Sequence, residues 1–207
     1  MKYSPRSPFI LITIGLIFAL LGGVLVLLFD GQDEVHYHAN IAVFINGEKV
    51  NFDNPKYMEE ETSKCSIDPM KQQPIDRVHF HENDGNLVHV HSAGVAYGHL
   101  MSNIGWSFGK DYLIDDTGKM YTNSASGSMH FILNGKSIDN PFNRAISSED
   151  RLLIDYGSLT DEVLEKTEFT QVATTAHKAN TEDDPNSCYG GVSSNILDII
   201  RNKILGR

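Results

Sequence analysis

The sequence predicts an α+β fold: a mixed β-sheet packed on one helix, carrying an added N-terminal β-hairpin and preceded by one transmembrane helix. Three observations carry this reading. Residues 35–46 alternate Val35, Tyr37, Ala39, Ile41, Val43 and Ile45 against His36, His38, Asn40, Ala42, Phe44 and Asn46, the period-2 pattern of a strand. Tyr97, Leu100, Met101 and Ile104 instead follow the i, i+3, i+4, i+7 spacing of an amphipathic helix. Residues 9–29 are uncharged and long enough to cross a bilayer as a helix.

Lys2 and Arg6 precede that apolar run, and Asp30, Asp33 and Glu34 follow it, which places the N-terminus in the cytoplasm. No small-x-small cleavage site precedes Asp30 and no cysteine ends the run to carry a lipid. The segment therefore reads as an uncleaved signal anchor of a single-pass membrane protein. Residues 1–8 would be cytoplasmic, 30–158 an extracytoplasmic domain and 159–207 a helical tail. All 27 acidic residues follow the anchor, so the external part is strongly negative and would repel nucleic acid. The two cysteines, Cys65 and Cys188, suit an oxidising compartment and predict one disulfide.

Along the domain, Asn46-Gly47 is a hairpin signal leading into residues 49–52. Residues 53–74 lose periodicity and, with Pro55, Pro69 and Pro74, read as a long loop. Val78 and Phe80 then alternate with His79 and His81, and Val88 and Val90 with His89 and His91, around the turn residues Asn83-Asp84-Gly85. A three-residue loop with Gly85 left-handed pairs His79 with His89 and puts all four histidines on one face, the valines and Phe80 on the other. The helix runs from Gly94 to a stop at Gly105. Residues 112–114 and 119–121 flank Asp115-Asp116-Thr117-Gly118 as a small hairpin, residues 129–133 form a strand ending in Asn134-Gly135, and residues 151–156 form a buried strand. In the tail, Ile196, Ile199, Ile200 and Ile204 predict a short amphipathic helix, docked on the domain or, as the alternative, lying on the membrane surface.

Six of the nine histidines fall in three His-x-His pairs, His36/His38, His79/His81 and His89/His91. Alternate strand residues share a face at roughly 6.6 Å spacing, so two such imidazoles reach one metal ion or two neighbouring ones. Neutral imidazole suits divalent transition ions such as copper and zinc. His130 alternates against Met129, Phe131 and Leu133 and points to the same helix-free, open face. The predicted metal ligands are thus His79, His81, His89, His91, His36, His38 and His130. Glu82 and Asp84 read as turn residues, and His99 lies off the helix's apolar stripe.

No H-E-x-x-H, G-x-S-x-G or phosphate-cradling glycine loop occurs, and Glu82 directly follows His81 where a cupin needs its Glu three or four residues on. The pattern therefore favours metal binding over catalysis and names no catalytic residue. Two rivals remain: a copper- or iron-dependent oxidoreductase, and a metal-free cell-surface module whose open sheet docks a protein.

Hairpin, helix, strand and final strand is the order of a β-grasp domain. Residues 131–135 and 148–154 resemble the closing strands of ubiquitin-like sulfur-carrier proteins, over about residues 78–157. The carriers' Gly-Gly terminus is not matched, since Gly190-Gly191 is followed by further chain, so their function does not transfer. The region after the anchor also resembles a family of membrane-anchored prokaryotic proteins with His-x-His-rich ectodomains, in segments 36–47, 79–94 and 150–157. That resemblance implies the fold and no mechanism.

Overall fold

The computed structural model describes residues 35–59 and 73–182, together with Ile12, Gly15, Ile17 and Phe18. The remainder of the apolar run 9–29, both cysteines and the isoleucine repeat at 196–204 lie outside the described residues. Among the described residues no helix is long and apolar enough to cross a membrane.

Strand β1 (Tyr37–Ile45) turns back into β2 (Glu48–Lys49) through Asn46 and Gly47, whose φ values of 54° and 83° suit a tight hairpin turn. β3 (Val78–His79) and β4 (Leu87–Val90) form the histidine hairpin, and α1 (Tyr97–Asn103) follows it. β5 (Ser107–Phe108), β6 (Tyr112–Ile114) and β7 (Met120–Thr122) make a separate three-stranded sheet. β8 (Ser128–Leu133), β9 (Lys136–Ser137) and β10 (Arg151–Gly157) complete the main sheet, in the order β3-β4-β1-β10-β8-β9. β1 and β10 run parallel at its centre and the other pairings are antiparallel, so the sheet is mixed.

One face of this sheet packs on α1. Ala39, Ile41 and Val43 of β1, Leu152 and Ile154 of β10 and Phe131 of β8 are buried with Tyr97, Leu100 and Met101, the predicted helical stripe. Val78, Phe80, Val88 and Val90 of the histidine hairpin are fully buried in the same core. Phe80 lies between the strands and Phe52, ring centroids 5.8 Å apart. We expect Phe80→Ala to cost roughly 3–5 kcal/mol, because truncating a fully buried ring loses its transfer energy and leaves a cavity. Urea denaturation of the two proteins measures the difference, and a loss below about 1 kcal/mol would contradict this packing.

The hairpin register His79↔His89 is as predicted, but the turn that sets it differs. Glu82 and Asn83 take the left-handed conformation at φ 58°, and Gly85 does not. Gly85 is needed for another reason: a Cβ there would lie 2.4 Å from Phe52, so only glycine lets the two segments touch.

The second face is covered, where the sequence predicts it open. α2 (Asp161–Lys166), a 3₁₀ turn at Glu168–Gln171 and α3 (Ala176–Thr181) lie across it. Leu164, Phe169 and Val172 close over Ala42, Phe44, Ile132 and Leu153. Arg151 holds this segment down by donating to the carbonyls of Ala173 (3.0 Å) and Val172 (2.5 Å), its guanidinium 4.7 Å from the Phe169 ring centroid. Nearer the start of β1, the buried Asn40 side chain accepts from the Ala176 N–H (3.0 Å) and donates to Thr175 Oγ1 (2.9 Å), seating α3 on the strand. The face is thereby split: mainly apolar under the 3₁₀ turn and α2, with Asp155 among the apolar side chains, and lined by histidine under α3.

Candidate metal centre

β1 lies beside β4, and its register pairs His38 with His89 and Tyr37 with Val90, which sets His36 beside His91. β4 in turn pairs His89 with His79. The three His-x-His pairs occupy three adjacent strands on one face, as the period-2 pattern requires. Their rings pack into one cluster. His38 meets His89 edge-on with centroids 4.4 Å apart, His36 stacks on His91 at 4.7 Å and His91 on His79 at 5.0 Å, and the His81 and His89 centroids are 3.6 Å apart. His38 is 2 % exposed, and His79, His81 and His89 are each 4 % exposed, so these side chains are buried and not displayed on an open surface.

Nitrogens of His36, His38 and His89 come within 4.8 Å of one another. His38 Nε2 is 3.0 Å from His89 Nδ1, which is itself 2.7 Å from His81 Nε2. The tautomer of His38 follows from its other nitrogen. Asn180 donates its Nδ2 to Ser148 Oγ (3.0 Å), so its Oδ1 is the acceptor, taking both the His38 backbone N–H and Nδ1–H at 2.8 Å. His38 Nε2 therefore carries a lone pair. His89 Nδ1 cannot satisfy both of its neighbours with a single proton, so three nitrogens meet at a point with too few hydrogens. A tetrahedral ion at roughly 2.0–2.1 Å from each ligand spaces nitrogens about 3.3 Å apart, close to the contacts seen here. An oxygen fixing the non-coordinating nitrogen is the usual support of a metal-binding histidine.

Burial and the neighbouring imidazoles favour the neutral form of three members, His79, His89 and His91. Burial first, then the proximity of other histidines, pulls His79 down to about 4 and His91 down to about 3, and drives His89 lower still. Neutral imidazoles are the form that coordinates, so protons compete weakly for these nitrogens.

His130 does not join the cluster, contrary to the sequence reading. It shares the face, but Phe44 pairs with Asp155 and Asp155 with His130, so the distance from its row to His38 is that from His38 to Phe44 along β1, about 20 Å at roughly 3.3 Å per residue. Both of its ring nitrogens are also engaged, Nδ1 with Asp161 (2.6 Å) and Nε2 with Ser128 Oγ (2.8 Å). Period 2 fixes the face of a side chain and says nothing of its position along the strand. Glu82 is an exposed turn residue, and the exposed His99 accepts the Ala96 N–H through Nδ1, capping α1. The sequence reading missed Asn180 and the Ile75 carbonyl, which accepts from His79 Nδ1 (2.8 Å). Neither carries a sequence signal, since one is a backbone atom and the other lies in a polar tail segment remote from the strands.

A second polar group is buried beneath the 3₁₀ turn. Asp155 is 1 % exposed, with neither carboxylate oxygen in hydrogen-bond geometry to a neighbour. Burial, then the adjacent Glu168 carboxylate, pushes Asp155 up to about 8, and burial raises Glu168 as well. Two adjacent buried carboxyls resist double ionisation, so Asp155 keeps its proton at neutral pH.

Comparison of the chain with protein families, with curated proteins and with solved structures returned no match.

Proposed function

We propose that this protein binds a divalent transition metal, copper or zinc, through His36, His38 and His89. The observation that carries the reading is the convergence of buried imidazole nitrogens that cannot all be hydrogen-bonded to one another. All-nitrogen ligation suits copper and zinc over magnesium or calcium, which require oxygen. Three protein ligands would leave one tetrahedral position open, as in catalytic centres, but His81 Nε2 lies 2.7 Å from His89 Nδ1 and is in reach to close it. That favours holding a metal over turning over a substrate.

The strand order supports assigning the domain to the β-grasp class, with β4 beside β1, and β1 parallel to the last strand. The apolar run at 9–29 and the acidic chain after it support an anchored, extracytoplasmic placement. Loading the purified full-length protein with Zn²⁺ or Cu²⁺, dialysing it and measuring metal by elemental analysis tests the function. Retention of at least one equivalent per chain is expected; retention of none would overturn it.

A further inference from the structure

The nitrogens of His36, His38 and His89 account for half of the histidine cluster, and two of the others raise a separate question. His79 Nδ1 donates to the Ile75 carbonyl, which can only accept, so the Nδ1–H tautomer is fixed and Nε2 carries the lone pair. That Nε2 is fully buried and has no hydrogen-bond partner. His91 Nε2 is likewise buried and unpartnered, on a ring stacked 5.0 Å from His79. Buried polar atoms are almost always satisfied, and an orphaned lone pair costs about 1–3 kcal/mol. A fixed lone pair on His79 Nε2 beside a second unpartnered nitrogen on the stacked His91 ring is an arrangement that one shared electrophile would satisfy. The set of nitrogens within mutual reach at His36, His38 and His89 includes neither of them.

We propose that the cluster holds a second transition-metal ion, bound through Nε2 of His79 and Nε2 of His91, beside the ion of His36, His38 and His89. This rests on the metal-binding reading above. The support pattern is the same at both positions: a protein oxygen fixes Nδ1–H of one histidine (Asn180 for His38, Ile75 for His79) and leaves Nε2 to coordinate. The two positions adjoin, since His91 also stacks 4.7 Å from His36 and His79 lies 6.0 Å from His89. Only two protein nitrogens serve the second ion, so its remaining coordination positions belong to water or to a small exogenous ligand. The second position is therefore the exchangeable one of the pair.

The test is titration of the full-length protein with Cu²⁺ and, separately, Zn²⁺, followed by calorimetry and elemental analysis, with paramagnetic resonance of the copper-loaded form. Two equivalents per chain are expected, the second binding more weakly, with the resonance of two Cu²⁺ ions broadened by their mutual coupling. The variant H79Q/H91Q should retain one equivalent at near wild-type affinity and give an uncoupled copper signal. A single equivalent in the wild type would overturn the second ion while leaving the metal-binding reading intact, whether or not the variant keeps it. No retained metal in the wild type would overturn both. Should the variant fail to fold, the wild-type stoichiometry and coupling decide the matter alone.

Discussion

Replacing His38 and His89 together with alanine is expected to weaken Cu²⁺ or Zn²⁺ binding at the primary site by at least about 100-fold, since losing a mere supporting partner of a metal ligand already costs 10–100-fold. The fold should survive. The neighbours of these histidines that point to the other face, Tyr37 and Ala39 on β1 and Val88 and Val90 on β4, pack in the α1-facing core and keep their contacts. The measurement is competitive titration with a chelator of known affinity, alongside far-ultraviolet circular dichroism. Unchanged affinity in a folded double variant would show that the ion is not held by His38 and His89, and the functional reading would fall.

The metal-free domain is expected to lose stability steeply between about pH 6.5 and pH 4. His79 titrates near 4 and His91 near 3 in the folded chain, against an ordinary 6.5 when unfolded. In that window the unfolded chain binds more protons than the folded one, so stability falls as pH falls. The shift at His79 alone corresponds to roughly 3 kcal/mol, and His91 and His89 act in the same direction. These losses rival the whole stability of a typical domain, so acid unfolding of the metal-free protein near pH 4–5 is the expected result. Asp155 has the opposite sign. Its pKa is raised to about 8, so the folded chain keeps a proton that the unfolded chain loses above about pH 4, and its contribution declines as pH rises towards 8. Denaturant melts across pH 4–8 should therefore show wild type rising with pH at the acid end, and Asp155→Asn gaining on wild type towards pH 8. A flat acid limb in the metal-free protein would contradict neutral, buried imidazoles.

Much of this molecule was written in its local patterns. The alternation in residues 78–81 and 88–91 placed four histidines opposite four apolar side chains, and burial of one face left a single register available, which the structure has. The stripe Tyr97, Leu100, Met101 and Ile104 marked α1, and Asn46-Gly47 marked the β1–β2 hairpin turn. The same reasoning misplaced Gly85, because the sequence shows a glycine between strands without showing that Phe52 presses on it.

The sequence by itself determined which face each histidine occupies, because side-chain direction along a strand is a local property with period 2. Only the tertiary structure decided which of those histidines meet. Strand order brought β1 beside β4, so that His36 and His38 joined the hairpin's four, while it left His130 two strands away and about 20 Å along the sheet. It also decided that the cluster is buried. Asn40 and Asn180, in hydrogen bonds spanning more than a hundred residues, seat α3 over the histidines and fix the tautomer of His38. Such contacts depend on where the chain returns after a long excursion, and no local pattern of residues records that.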